Sequence, residues 1–178
     1  FPGTEAGLPS KRLFRLTRDQ LDLTVASLLP GYAAQSVKDA IPKDALQTNY
    51  EYADLLSLNP ANIKGLSGWI GGIAARVREK PDGVVNCPDG GNADACRRAA
   101  VRAFVVKAFR GDVTEGKITQ TTGFYLNGVK SVGAAQAAAD LVEVVLNSPN
   151  FLFRKELDVS ATARLAPAQL LQAVTYTL

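Results

Sequence analysis

The chain has 178 residues, 47% of them apolar, and 20 basic against 17 acidic side chains, a net charge of +3. That supplies one helical core or two small coupled ones, and the charge is too mild to argue for nucleic acid. The chain has no His, so it cannot alone build a Ser-His-Asp or Cys-His site, a His-ligated zinc or non-haem iron centre, or an axial-His haem.

There is also no Met, and Phe1 is expected to follow processing or trimming. No apolar run approaches the roughly 18–20 residues that a membrane span needs. The longest candidate, residues 141–146, is interrupted by Glu143.

The opening "FPGTEAGLPSK" is Pro- and Gly-rich, and residues 1–15 read as an extended arm. A helix is expected from "LTRDQL". Thr17 can cap it, Gln20 completes a capping box, and Leu16 and Leu21 suit a hydrophobic staple. Leu21, Val25, Leu28 and Leu29 continue the apolar stripe until Pro30-Gly31 stops it. Residues 31–58 show no clean period and read as loop with a short helical piece.

A second helix opens at "LNPANIKGL", with Asn59 as N-cap and Pro60 in the first turn. Ile63, Leu66, Ile70, Ile73, Ala74 and Val77 mark its expected buried face. Gly65, Gly68, Gly71 and Gly72 are unusual there, since a glycine costs about 1 kcal/mol in a helix interior. Close approach of another helix is one reason for them; backbone approach by a ligand is the other. Gly65, Gly68, Trp69 and Gly72 are therefore candidate interface residues. "GWIGG" is no phosphate loop, because no Lys-Ser/Thr follows.

In "NCPDGGNADAC", Cys87 and Cys96 bracket a loop of turn-forming residues. We read them as a disulfide, which favours an oxidising compartment. The competing reading is two reduced thiols. Closing so short a loop contributes roughly 2.5–3 kcal/mol in the chain-entropy description.

The next helix, "DACRRAAVRAFVVKAFRG", has Asp94 as its expected cap and Gly111 as its stop. Val101, Phe104, Val105 and Ala108 face inward. Arg97, Arg98, Arg102, Lys107 and Arg110 form either a solvated face, whose C-terminal cations favour the helix dipole, or a nucleic-acid or acidic-lipid stripe. No aromatic platform accompanies them, which weighs against nucleic acid.

"DVTEGKITQTTGFYLNG" should hold a short helix after Thr114, loosened by Gly116 and Gly123. "SVGAAQAAADLVEVVLNS" should form a long alanine-rich helix, with Ala134, Ala138, Leu141, Val142 and Val145 on its apolar face. In "SPNFLFRKEL", Phe151, Leu152 and Phe153 are expected to anchor an extended segment. Arg154 and Glu156 should pair with charges near the next helix, and Arg154 is also a candidate interface residue. A last helix starts near Ala166-Pro167, with Leu170, Leu171 and Val174 apolar.

The expectation is a mainly α fold: an irregular orthogonal bundle of about five to six helices with long loops. Residues 16–147 would form the helical domain carrying the closed loop 87–96. Residues 148–178 would form a connection and the start of a following helical domain.

Four blocks resemble a family of secreted bacterial multi-domain proteins of unknown function, common in planctomycetes and myxobacteria. "FRLTRDQLDLTVASLLPG" is similar to the family's Arg-Arg-Leu-Thr-x-x-Glu-Tyr-x-Asn-Thr-Val-Arg-Asp-Leu-Leu-Gly opening. "VVKAFRGDVTEGKI" resembles Arg-Arg-Ala-Phe-Arg-Arg-Pro-Leu-Thr-x-x-Glu. "VVLNSPNFLFRKEL" resembles Leu-x-Ser-Pro-His-Phe-Leu-Tyr-Arg-x-Glu. "ARLAPAQLLQAVTYTL" resembles the Leu-Thr-x-x-Glu-Leu-Ala-x-Arg-Leu-Ser-Tyr-Phe-Leu-Trp block.

Several polar positions of these blocks differ here. Asn150 replaces the His, Val106-Lys107 replaces the paired Arg, and Ala166 replaces the capping hydroxyl residue. Gln20, Leu21 and Leu23 replace the Glu, Tyr and Asn of the opening.

The resemblance implies a periplasmic or extracellular bacterial protein whose partners are other protein chains, such as downstream domains of its own precursor or a c-type cytochrome. With its polar positions lost, the resemblance, together with the expected disulfide and the missing His, implies a non-enzymatic structural or interaction subunit of a cell-envelope or extracellular assembly. No catalytic, cofactor-binding or metal-binding residue stands out. An accessory role in extracytoplasmic electron transfer or polymer oxidation, beside a cytochrome, is the alternative. An enzyme working through carboxylates lacks a defensible pair.

Overall fold

Thr17 starts the first helix as its sequence signature requires. Its hydroxyl accepts from Gln20 N, and the Gln20 side chain accepts from Thr17 N. This helix, α1, spans Arg18–Leu28. The structure, a computed structural model, describes residues 12–33, 35–44, 46–47, 50–51, 58–88, 93–156 and 165–175. Residues 1–11 of the expected arm lie outside them. Residues Arg12–Arg15 form a strand, β1.

After α1 comes the one-turn helix α2, Val37–Ala40, capped by Ser36. The two-residue strands β2, Leu46–Gln47, and β3, Tyr50–Glu51, pair antiparallel. Helix α3, Pro60–Glu79, is capped by Asn59 and Asn62 in a reciprocal box, with Pro60 in its first turn. A 3-10 turn at Pro81–Gly83 follows. The Cys87–Cys96 disulfide is formed, with a Cα–Cα distance of 5.8 Å. It ties the segment after α3 to the first turns of α4, Ala93–Ala108.

Asp94, expected as the cap of α4, lies inside its first turn and pairs with Arg97 at 3.5 Å. The far end of α4 closes as expected around Gly111, by a Schellman pair of bonds. Gly111 N donates to Val106 O at 2.9 Å and Arg110 N to Lys107 O at 3.1 Å. The residue that takes the first left-handed position is Arg110, at φ 56°, with Gly111 next at φ 76°.

The following helix is longer than its sequence suggested. α5 runs from Glu115 to Val132 straight through Gly116 and Gly123. The break comes at Gly133, whose φ of 85° ends α5 and opens α6, Ala134–Leu146. Ser131 and Val132, expected in the alanine-rich helix, belong to α5. Ser148 caps the four-residue α7, Pro149–Leu152, and the chain then straightens into β4, Phe153–Glu156. The last described helix is α8, Pro167–Thr175.

The fold is mainly helical, as expected. α6 lies centrally, packed chiefly against α3 and α5, while α4 lies on α5 and α1 lies on α2 and α4. Ala137, Ala138, Ala139, Leu141, Val142, Val145 and Leu146 of α6 are buried, while Gln136, Asp140 and Glu143 follow one another along its wetter side. Ala134, expected on the apolar face, is exposed because it stands at the helix start, before the packed turns. From α3 the core takes Leu66, Trp69, Ile70, Ile73 and Val77. Ile63 was expected there too, but it is half-exposed; the core begins one turn later, at Leu66.

β4 returns across the chain to pair antiparallel with β1, setting Arg12 opposite Glu156 and Arg15 opposite Phe153. Leu16 N extends the ladder to Leu152 O at 2.9 Å. Phe151 is fully buried and Leu152 nearly so. Their expected anchoring role holds, although both sit in α7 and the strand starts at Phe153. Phe151→Ala should cost about 3–5 kcal/mol, read as a lowered midpoint in urea; an unchanged midpoint would sink the assignment.

Two glycines of α3 separate by their surroundings. A Cβ on Gly65 would lie 2.1 Å from Ala40 O and 2.8 Å from Ile41 Cγ2, whereas one on Gly68 would meet nothing within 4 Å. Gly65→Ala should therefore lower the melting temperature. Gly68→Ala should raise stability by about 0.5–1 kcal/mol, from backbone entropy alone. Equal effects at the two positions would contradict this packing.

Candidate functional site

A cavity opens beside α1. It is a groove of about 450 Å³ lined by Gln20, Leu23, Thr24, Ser27, Leu28, Lys107, Arg110 and Thr175. Gln20, Leu23, Thr24 and Ser27 follow the i, i+3, i+4, i+7 spacing of one helical face. They form one wall, while Leu21, Val25 and Leu28 of the same helix are buried. Leu23 is 72% exposed.

α8 contributes Thr175 to the lining. α8 is turned against its own pattern. Gln169 and Gln172 are buried at 1% and 3% exposure, while Leu170, Leu171 and Val174 face outward, Leu171 at 65%. Leu171 lies one turn before Thr175, whose hydroxyl donates to Leu171 O at 2.8 Å, so both lie on one face of α8.

Two cations from the end of α4 complete the lining. Lys107 Nζ donates to Ser27 O at 2.7 Å. Arg110 donates to Asn150 O at 3.3 Å and Phe151 O at 2.8 Å, with its guanidinium 5.5 Å from the Phe151 ring centre. The left-handed backbone at Arg110 thus aims a cation at the last carbonyls of α7. Among the described residues that line the groove there is no carboxylate.

The candidate residues read from sequence fall elsewhere. Gly65 is filled by α2 of the same chain. Trp69 is buried and donates its indole N–H to Gln35 O at 2.9 Å. Gly68 and Gly72 have open space beside them. Arg154 is buried on β4, 4.7 Å from the centre of the Phe14 ring, and pairs with Glu156 at 3.3 Å. Arg154 and Glu156 were expected to reach charges near the next helix; the pairing the structure shows is between the two of them. Cys87 and Cys96 form the disulfide. The structure does not bring these residues together into one site.

Sequence reasoning missed the groove. Leu23 was a usable signal, an apolar residue off the α1 stripe. The outward turn of α8 had none, because Leu170, Leu171 and Val174 look like a core face until their surroundings are known.

Shifted titrations occur away from the groove. The Arg102 guanidinium bonds both Glu115 oxygens at 2.5 Å, holding that carboxyl below its usual range and raising Arg102. Lys38 is raised by its bond to Asp19, and burial raises Tyr125. None of these groups lines the groove. Among the described residues, no cluster of three His, Cys, Asp or Glu could hold a metal, and no helix is long and apolar enough to cross a membrane.

One buried ion pair fixes the α1 wall. Arg15 pairs with Asp44, both nearly inaccessible, and Asp44 Oδ2 also accepts from Arg18 N at 2.7 Å, at the start of α1. Asp44→Ala would leave the Arg15 charge buried without its counterion and should cost about 3–5 kcal/mol. A chemical-denaturation midpoint close to wild type would remove Asp44 from this role.

A family model described as PSD5, a protein of unknown function (DUF1595), matches residues 96–156. This is about a third of the chain, from within α4 to the end of β4. It contains the "VVKAFRGDVTEGKI" block and nearly all of "VVLNSPNFLFRKEL", so the similarity to an uncharacterised family rests on the α4–β4 region. No curated protein and no solved structure matches the chain.

Proposed function

We propose that this protein is a non-enzymatic interaction subunit of a secreted or periplasmic assembly. The outward face of α8 carries the reading. A nine-residue helix that buries two glutamines and exposes Leu170, Leu171 and Val174 leaves its apolar side for something outside this fold. Leu23 adds to that surface across the groove. The open space at Gly68 and Gly72 leaves room for a second close contact.

The disulfide supports an oxidising compartment. The absence of His from the sequence keeps the commonest acid–base chemistry out of the groove.

Native mass spectrometry of the protein from its natural source tests the reading. The expected result is a stoichiometric complex with another chain and an oxidised Cys87–Cys96 pair after thiol blocking. A monomer alone, or reduced cysteines in the cell, would count against it.

A further inference from the structure

We propose that the face of α3 and α6 carrying Gly71 and Glu143 packs against the same face of a second copy of this chain, about a two-fold axis. The inference goes beyond the interaction-subunit reading. It concerns another surface and stands whether or not a foreign chain binds beside α8.

A shallow groove of about 180 Å³ runs between these two helices. α3 lines it with Gly71, Ala74, Ala75 and Arg78, the i, i+3, i+4, i+7 spacing of one helical face, and α6 lines it with Gln136, Ala139 and Glu143. Ala74 and Ala139 are buried and make its floor. The volume falls below the roughly 300–1,000 Å³ of small-molecule sites, so a larger surface suits it better.

The glycines of α3 fit a close approach from outside. In a helix interior each costs about 1 kcal/mol against alanine. Gly65 is accounted for by α2, but a Cβ on Gly68, Gly71 or Gly72 would meet nothing within 4 Å. Packing within this chain therefore does not require those three to be small. Gly68 and Gly72, and likewise Gly71 and Ala75, stand one turn apart, so the bare backbone continues along the helix. A helix surface without side chains lets a second helix come near.

The charges identify what approaches. Arg78 and Glu143 are exposed, one on each helix, and neither forms an ion pair with a described residue. Gln136 is already bonded to Asp140 of its own helix at 2.7 Å. The groove thus offers one cation and one anion. A uniformly acidic or basic partner would be attracted at one and repelled at the other. A second copy related by a two-fold axis brings its Glu143 to Arg78 and its Arg78 to Glu143. The same pair is then made twice, as an isologous contact requires.

Sedimentation equilibrium of the full chain tests this. Wild type should show a reversible monomer–dimer equilibrium. Arg78→Glu sets glutamates against each other across the axis, and Glu143→Arg sets arginines against each other. Each should raise the dimer dissociation constant about tenfold or more. An equimolar mixture of the two variants should restore the dimer, because each copy carries the charges the other lacks. No contact within one chain is rescued by mixing. Both variants should melt like wild type in dilute, monomeric solution.

A wild type that stays monomeric up to about 1 mM, a dimer unmoved by both substitutions, or a mixture that stays dissociated overturns the proposal. A homodimer found without any foreign chain supports it and counts against the interaction-subunit reading. A foreign chain bound to a protein that never self-associates does the reverse.

Discussion

The burial of α6 is the constraint on which the other helices depend. Its side chains are apolar around most of its circumference, so it is stable only with neighbours on several sides. Three consecutive buried alanines, Ala137 to Ala139, keep this stretch of it thin. Gly128 of α5 meets Ala137 with no room to spare: a Cβ there would lie 3.1 Å from the alanine methyl. With α3 and α5 held in this way, α4 lies on α5 and presents its C-terminal cations beside α1. The groove is thus a surface consequence of how the centre is filled.

Local chemistry made much of the fold legible. The Thr17 and Asn59 caps, Pro60, and the Ser148-Pro149 turn start helices through contacts within a few residues, and such contacts are written in adjacent letters. The Cys87–Cys96 pairing was legible for the same reason. The misread boundary lay between α5 and α6. Gly116, Gly123, Gly128 and Gly133 are alike in sequence, yet only Gly133 takes a left-handed backbone that ends a helix. Packing against α4 and α6 sustains α5 through the other three. Propensity, worth about 1 kcal/mol per glycine, yields to that burial.

The site was less legible, because periodicity identifies an apolar face without saying what covers it. On α3 the stripe from Leu66 to Val77 points into the core, and Trp69 goes with it; on α8 an equally good stripe points away. The difference lies in Gln169 and Gln172, which are buried where α8 packs on β4, the element before it. Arg110 is a similar case. A reader expects glycine at a left-handed helix terminus, but the guanidinium there reaches two carbonyls some forty residues away.

The β1–β4 ladder has a mechanical corollary. Because Arg12 stands opposite Glu156, the chain enters β1 and leaves β4 at the same end of the ribbon. Tension applied through the segments before residue 12 and after residue 156 falls on that outermost pair first, then on Leu13 and Lys155, then on Phe14 and Arg154. The ladder is loaded as a zipper, one rung at a time, and not in shear across all four. A tether pulling on both ends would peel these strands before its force reached the helices around α6.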